Sequence, residues 1–292
     1  MACLMIELPK VEDIRGNLSF IESGNRGVCP FEIERVYWIY DVPTGRKRNG
    51  RALRHTSEMI VAMSGSFDVV CIKPDGTKEV HSLNRSDRAL HIPPGTWREI
   101  NNFSTNSVAM VLASGPYNAD EYIFDPEGLG EESPQPCADC HEEKSAKTFA
   151  DPHKHSDLAN VRRITFDRHK HANGTLSVAE NGAPLIPFDI RRVFYLYDVP
   201  ADAKRGGHSH YQAEELIIAL SGSFDVVLDD GKHAPERFSL NRPYTALYVP
   251  TGLWRTLDNF SGGSVCMVLT SERYSEPDYV RDYQLFKQLT AL

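Results

Sequence analysis

The chain has 292 residues, 41% of them hydrophobic and 25% charged, with 40 acidic against 32 basic side chains and a formal net charge of −8. That length allows two domains, each with its own core. The acidic balance argues against a general nucleic-acid surface and leaves room only for a local basic pocket. No apolar run is long enough to span a membrane. The opening "MACLMIELPKVEDIRG" lacks the basic start and long apolar stretch of an export signal. A cytoplasmic protein with its six cysteines reduced is therefore expected.

Taken in order, the chain reads as short strands separated by turns. "RVYWIYDVP" (35–43) and "MIVAMSGSFDVV" (59–70) are rich in β-branched and aromatic residues, and "KPDGT" (73–77) follows as a turn. After "HIPPGTWREINNFS" (91–104) comes a segment rich in Pro, Glu, Ser and Asp, which reads as a linker. The strand signals then return as "RVFYLYDVP" (192–200), "LIIALSGSFDVVL" (216–228), "ALYVP" (246–250) and "VCMVLTS" (265–271). The last stretch, "SEPDYVRDYQLFKQLTAL", has apolar residues at helical spacing and predicts a C-terminal helix.

The second series repeats the first at an offset of 157 residues. "SGSFDVV" and "SLNR" recur unchanged, and "HIPPGTWREINNFS" falls on "YVPTGLWRTLDNFS" (248–261). Ungapped agreement of this length signals gene duplication, with a period that makes each copy a domain and not a solenoid unit. The expected organisation is an N-terminal domain at 1–125, a polar linker at 126–158 and a C-terminal domain at 159–292. Regularly spaced short strands imply an all-β fold of sandwich or barrel type.

The copies differ where chemistry would reside. Copy two carries "RGGHSH", and His208 and His210, two apart on a strand, should face the same side. With Glu214 they give the H-x-H-x3-E spacing of a cupin. Arg255, however, stands where the second cupin motif places its metal-binding histidine. A guanidinium stays charged and repels a cation, so no metal is expected. Copy one has Arg51 and Leu53 in place of the histidines, and Arg98 repeats the other change. What remains in copy two is an acid/base pair beside Arg192, Tyr195, Arg205, Trp254 and Arg255. Arginines suit a diphosphate, and Trp254 offers a face for a base.

These stretches resemble the dTDP-4-keto-6-deoxyglucose 3,4-ketoisomerases, of the WxcM-like cupin group, through "RVFYLYDVP", "RGGHSH", "ALSGS", "PTGLWRTLDNFS" and "YSEPDYVRDY". The resemblance spans nearly all of 160–292, and a weaker version covers about 5–125. It implies two tandem jelly-roll barrels that need no cofactor and act on a dTDP-linked 4-keto-6-deoxyhexose. Histidines 208 and 210 would move the keto group from C4 to C3 through an enediol, giving the precursor of a 3-amino-3,6-dideoxyhexose for surface glycans. Tyr195 and Arg205 would contact substrate. Two alternatives stand beside it. One is a dTDP-sugar epimerase, whose His–Asp and Tyr arrangement is not evident in the sequence. The other is a sugar-nucleotide-binding bicupin without catalysis.

Family members begin with a D-x-R-G-x-L turn whose arginine reaches a ligand. Copy one keeps it as "DIRGNL", with Arg15, whereas copy two has "HANGTL", with Asn173. The losses are complementary. If the copies exchange N-terminal strands, as the family's dimers do, Arg15 completes the copy-two site and copy one is left inactive. The chain would then be an intramolecular pseudo-dimer, and pairing of chains into a homodimer is a further arrangement the family allows. "CADCH" (137–141) matches a haem-attachment or zinc spacing, with His153 and His155 following. In an acidic linker and without an export signal, neither use is favoured.

Overall fold

The computed structural model describes residues 2–25, 27–126, 129 and 156–291. Most of the expected linker, including Cys137, Cys140, His153 and His155, lies outside the described residues. The chain is built almost wholly of antiparallel strands and divides into two compact units.

Each unit is a jelly roll of a seven-stranded and a five-stranded sheet. In the C-terminal unit the larger sheet runs Arg162–Thr165, Thr245–Val249, Glu215–Ser221, Val265–Thr270, Arg192–Tyr197, Asn17–Glu22, Lys10–Val11. The smaller runs Glu236–Leu240, Phe224–Asp229, Trp254–Asp258, Arg205–His210, Tyr279–Val280. Between them lies an apolar core that includes Ile217, Phe224, Val226, Leu247, Leu257 and Val268. These residues alternate with outward-facing ones along their strands, the period-two pattern the sequence carries. The N-terminal unit has the same layout, with Ile60, Phe67, Val69, Leu90, Ile100 and Val111 in the corresponding core.

The units are not the contiguous segments 1–125 and 159–292. The C-terminal unit takes residues 10–22 from the first repeat, and the N-terminal unit takes 167–186 from the second. Strand Asn17–Glu22 pairs with Arg192–Tyr197 over its full length, Leu18 opposite Leu196 and Phe20 opposite Phe194. Strand Gly174–Glu180 pairs with Arg35–Tyr40 in the same way. Six rungs of ladder and inward apolar residues at alternate positions hold each donated strand. The expected linker boundary at 158 also shifts, because Leu158 is buried in the C-terminal core and Asp157 caps the turn Leu158–Asn160.

The C-terminal helix forms, but over Tyr283–Thr290 alone. The residues before it make a 3₁₀ turn, Glu276–Asp278, and the short strand Tyr279–Val280. The helix begins where Asp282 caps it, its side chain accepting from the Leu285 amide.

Candidate functional site

Strand Arg205–His210 is irregular for a reason seen in its neighbour. It pairs with Trp254–Asp258 at Arg205↔Leu257 and His208↔Arg255, with a register shift between them. Gly206 sits in the shift at φ +67°, and a Cβ there would lie 2.2 Å from Arg255 Nη1. Only glycine permits both the backbone conformation and the approach of the guanidinium. Beyond the shift, His208 and His210 point to the same side, with ring centroids 4.9 Å apart. Both are buried.

Each histidine has a different electrostatic environment. His210 Nδ1 lies 2.9 Å from Asp278 Oδ2, and its Nε2 lies 3.5 Å from Glu215 Oε1. Burial pulls its pKa down, but the two carboxylates outweigh burial and leave it raised, favouring the imidazolium. His208 has no such carboxylate partner. Burial, the Arg255 charge and His210 together push its pKa well below the usual imidazole value, so it is neutral at neutral pH. Tyr279 packs edge-on against both rings, at 4.9 Å from His208 and 4.4 Å from His210, and restricts their rotation.

Arg255 is committed to Glu215. Its Nη2 donates to Oε1 at 2.8 Å and its Nε donates to Oε2. Burial opposes ionisation of Glu215, yet Arg255 and His210 hold the carboxyl well below the usual range. The carboxylate of the site is therefore Glu215 and not Glu214. Glu214 accepts from Tyr248 on the opposite face of the strand. Donor atoms of His208, His210 and Glu215 do lie within 4.8 Å of one another. A buried guanidinium bonded to two oxygens of the only acidic member makes this set a poor fit to a cation.

A cavity of about 600 Å³ opens onto His208, with His210 behind it against the His208 ring. Arg192, Arg205, Arg255 and Arg281 line it, with Phe194, Tyr274 and Tyr279. Arg192 donates to the Tyr279 hydroxyl at 3.2 Å. The turn at residues 13–16 contributes Asp13 and Arg15 to the rim, where Arg15 is held in a two-pronged bond by Asp13 at 2.9 and 2.6 Å. Arg205 fixes this turn by donating to the Gly16 carbonyl at 3.1 Å. Gly16, at φ +106°, has Val199 where a side chain would go, so the turn needs glycine.

Two residues expected at the site, Tyr195 and Trp254, do not line this cavity. Tyr195 is fully buried on the face of its strand opposite Arg192, Phe194 and Leu196, 5.9 Å from Tyr197. Trp254 is next to Arg255 and must therefore point the other way. It packs on Tyr283 and Phe286 of the terminal helix at 5.2 and 5.6 Å. Strand alternation excludes both from the cavity. Conversely, Asp278, Tyr279 and Arg281 were not singled out from the sequence, although all three sit in "YSEPDYVRDY".

In the N-terminal unit the equivalent positions are filled by the protein itself. Arg98 donates to Glu58 at 2.8 and 3.0 Å and to the Tyr37 hydroxyl at 2.8 Å. Arg51, at the His208 position, donates to the same hydroxyl at 2.9 Å, while Leu53 at the His210 position is buried. Burial disfavours the charge on Glu58, but Arg98 and Arg51 overcome it and hold the pKa at about 2. No acid/base pair exists there.

Comparison with known proteins identifies the family of the chain. The family described as "FdtA: WxcM-like, C-terminal" matches residues 1–131 and again 159–291. A curated relative, the TDP-4-oxo-6-deoxy-alpha-D-glucose-3,4-oxoisomerase of Aneurinibacillus thermoaerophilus, is 38% identical over 128 residues, covering 44% of this chain and 91% of the relative. Among solved structures, the sugar 3,4-ketoisomerase QdtA of Thermoanaerobacterium thermosaccharolyticum, in complex with TDP, is 36% identical with a TM-score of 0.44, covering 46% of this chain and 97% of its own. A 3,4-ketoisomerase from Helicobacter canadensis is 35% identical with a TM-score of 0.43, covering 45% of this chain and 98% of its own. With both repeats matched, the chain belongs to the family described as FdtA: WxcM-like, C-terminal, whose domain is present here twice in one polypeptide.

Proposed function

We propose that the chain is a TDP-4-keto-6-deoxyglucose 3,4-ketoisomerase with one active site, in the C-terminal unit, completed by Arg15. The observation that carries this reading is a same-face histidine pair in which His208, shifted toward its neutral form, lines an arginine-rich cavity, and His210, shifted toward the imidazolium, is held by Asp278 and Glu215. The reaction needs both states. The proton on C3, next to the C4 ketone, goes to a neutral base, and the C4 oxygen accepts a proton from an acid. His208 suits the first role and His210, backed by Asp278, the second. The 3,4-enediol then loses its O3 proton and gains one at C4. C3 becomes the ketone and C4 the carbinol, so the electrons balance within the sugar. No external oxidant or cofactor enters the equation.

The remaining residues bind. Arg192, Arg205 and Arg281, with Arg15 at the rim, provide the cationic wall that a nucleoside diphosphate requires. Arg255 does not meet the substrate phosphates on this reading. It keeps Glu215 ionised next to His210 and thereby helps keep His210 charged. The chain acts as a pseudo-dimer of repeats, each lending a strand to the other's barrel.

Incubating the protein with TDP-4-keto-6-deoxyglucose in heavy water tests the reading by proton NMR. The expected result is a 3-keto product with solvent deuterium on C4, and deuterium on C3 only in 4-keto substrate regenerated by the reverse reaction. Exchange without a keto shift would indicate an epimerase, and no exchange would indicate a binding protein. Either outcome overturns the proposal.

A further inference from the structure

The N-terminal unit holds a second cluster of reactive side chains that isomerisation does not use. Cys3, Cys71 and His81 each bring one donor atom within 4.8 Å of the other two. Strands Phe67–Ile72 and Lys78–Leu83 pair with Cys71 opposite Glu79 and Val69 opposite His81, so Cys71, Glu79 and His81 share one face. Cys3 immediately precedes strand Leu4–Glu7 and is buried in the same core as Cys71. Neither cysteine is bridged. His81 Nε2 is shut off from solvent without a hydrogen-bond partner, and lies 3.5 Å from Glu79 Oε2. Glu79 is held in turn by Lys73 at 2.5 Å.

The other unit shows what this corner looks like without ligating chemistry. The pairings Leu4↔His91 and Arg162↔Tyr248 place Cys3 in register with Val161. By the same ladders, Cys71 corresponds to Leu228 and His81 to Phe238. Val161 and Phe238 pack against the core that contains Leu228. Three apolar residues in one barrel are thus three soft donors in the other, while the acidic position is kept as Glu236 and Glu79.

We propose that Cys3, Cys71 and His81 form a structural zinc site that clamps the first strand to the N-terminal barrel. Two thiolates and an imidazole are the donor set zinc prefers, and the Glu79 carboxylate lies beside the imidazole, 3.5 Å from His81 Nε2. Lys73 offsets the extra negative charge. Binding releases the two thiol protons to solvent, which makes occupancy fall at low pH. The site is independent of the isomerase reading.

The test uses the full-length protein loaded with zinc and dialysed against a weak chelator, and separately with cobalt. One variant, Cys137→Ser/Cys140→Ser, removes the linker thiols. A second, Cys3→Val/Cys71→Leu/His81→Phe, installs the apolar set that the C-terminal barrel already packs. The linker variant should keep one zinc per chain, a thiolate-to-cobalt charge-transfer band and a melting temperature raised by zinc. The triple variant should lose all three. Zinc retained by the triple variant but lost by the linker variant would overturn the proposal. So would the absence of a thiolate–cobalt band, or recovery of Cys3 and Cys71 as a disulfide in a non-reducing peptide map.

Discussion

Asp278→Asn separates the electrostatic account of His210 from a purely steric one. Asparagine keeps the shape of the side chain and one acceptor oxygen, but removes the charge 2.9 Å from His210 Nδ1. A hydrogen bond to a charged partner contributes about 1.5–3 kcal/mol. If the acid role of His210 depends on it, kcat at neutral pH should fall roughly 10- to 150-fold. The pH profile carries the sharper signature. In the wild type, kcat/KM should fall on the acid side as His208 becomes protonated and on the alkaline side as His210 loses its proton. Asp278 raises the pKa of His210, so its loss should move the alkaline limb to lower pH. The acid limb, set by His208, should stay. Initial rates across pH, followed by proton NMR, measure both limbs. Asp278 also accepts from the Gln212 and Ala213 backbone at 2.6 and 3.3 Å, so a melting curve must accompany the kinetics. An unmoved alkaline limb with a rate within about twofold of wild type would refute this account.

Other changes have equally defined outcomes. His210→Asn should lower kcat by about 10²- to 10⁴-fold while dTDP still binds, as read by turnover and calorimetry. Arg15→Ala should weaken dTDP binding several-fold, because the arginine is more than half exposed and its charge partly screened; unchanged affinity and turnover would remove Arg15 from the substrate-binding set. Tyr195→Phe should leave KM unchanged, since that ring faces away from the cavity. Glu58→Gln should cost about 3–5 kcal/mol of stability by leaving Arg98 buried without its counter-charge. The folded-state pKa of Glu58 is depressed to about 2, so this stabilisation is complete above the unfolded carboxylate value and lost as pH falls towards 2. Acid melting curves of the wild type and the variant should therefore converge.

The sequence made the duplication, the β class and the histidine pair legible, because each rests on local pattern. A two-residue spacing on a strand is enough to put His208 and His210 on one face. The same rule, applied to Trp254 beside Arg255 and to Tyr195 among Arg192, Phe194 and Leu196, would have kept both aromatics out of the cavity. The acidic partner was misplaced by one residue for the same reason: Glu214 satisfies the spacing, but Glu215 has the inward parity. Asp278 was harder to find. It meets His210 from 68 residues away, through a turn and a two-residue strand that carry no periodic signal. Strand exchange leaves no trace in an offset alignment, since each repeat gives what it receives. The complementary loss of the Arg15 turn and the histidine pair, set beside the strand exchange of the resembling family's dimers, pointed to it.

The most direct measurement of the central claim, a single site per chain in the C-terminal unit, is the stoichiometry of dTDP binding by calorimetry. In the N-terminal unit Arg51, Tyr37, Glu58 and Arg98 are bonded to one another at the positions equivalent to the site, whereas in the C-terminal unit a cavity opens onto His208. One dTDP per chain is the predicted result; two equivalent sites per chain would contradict the account.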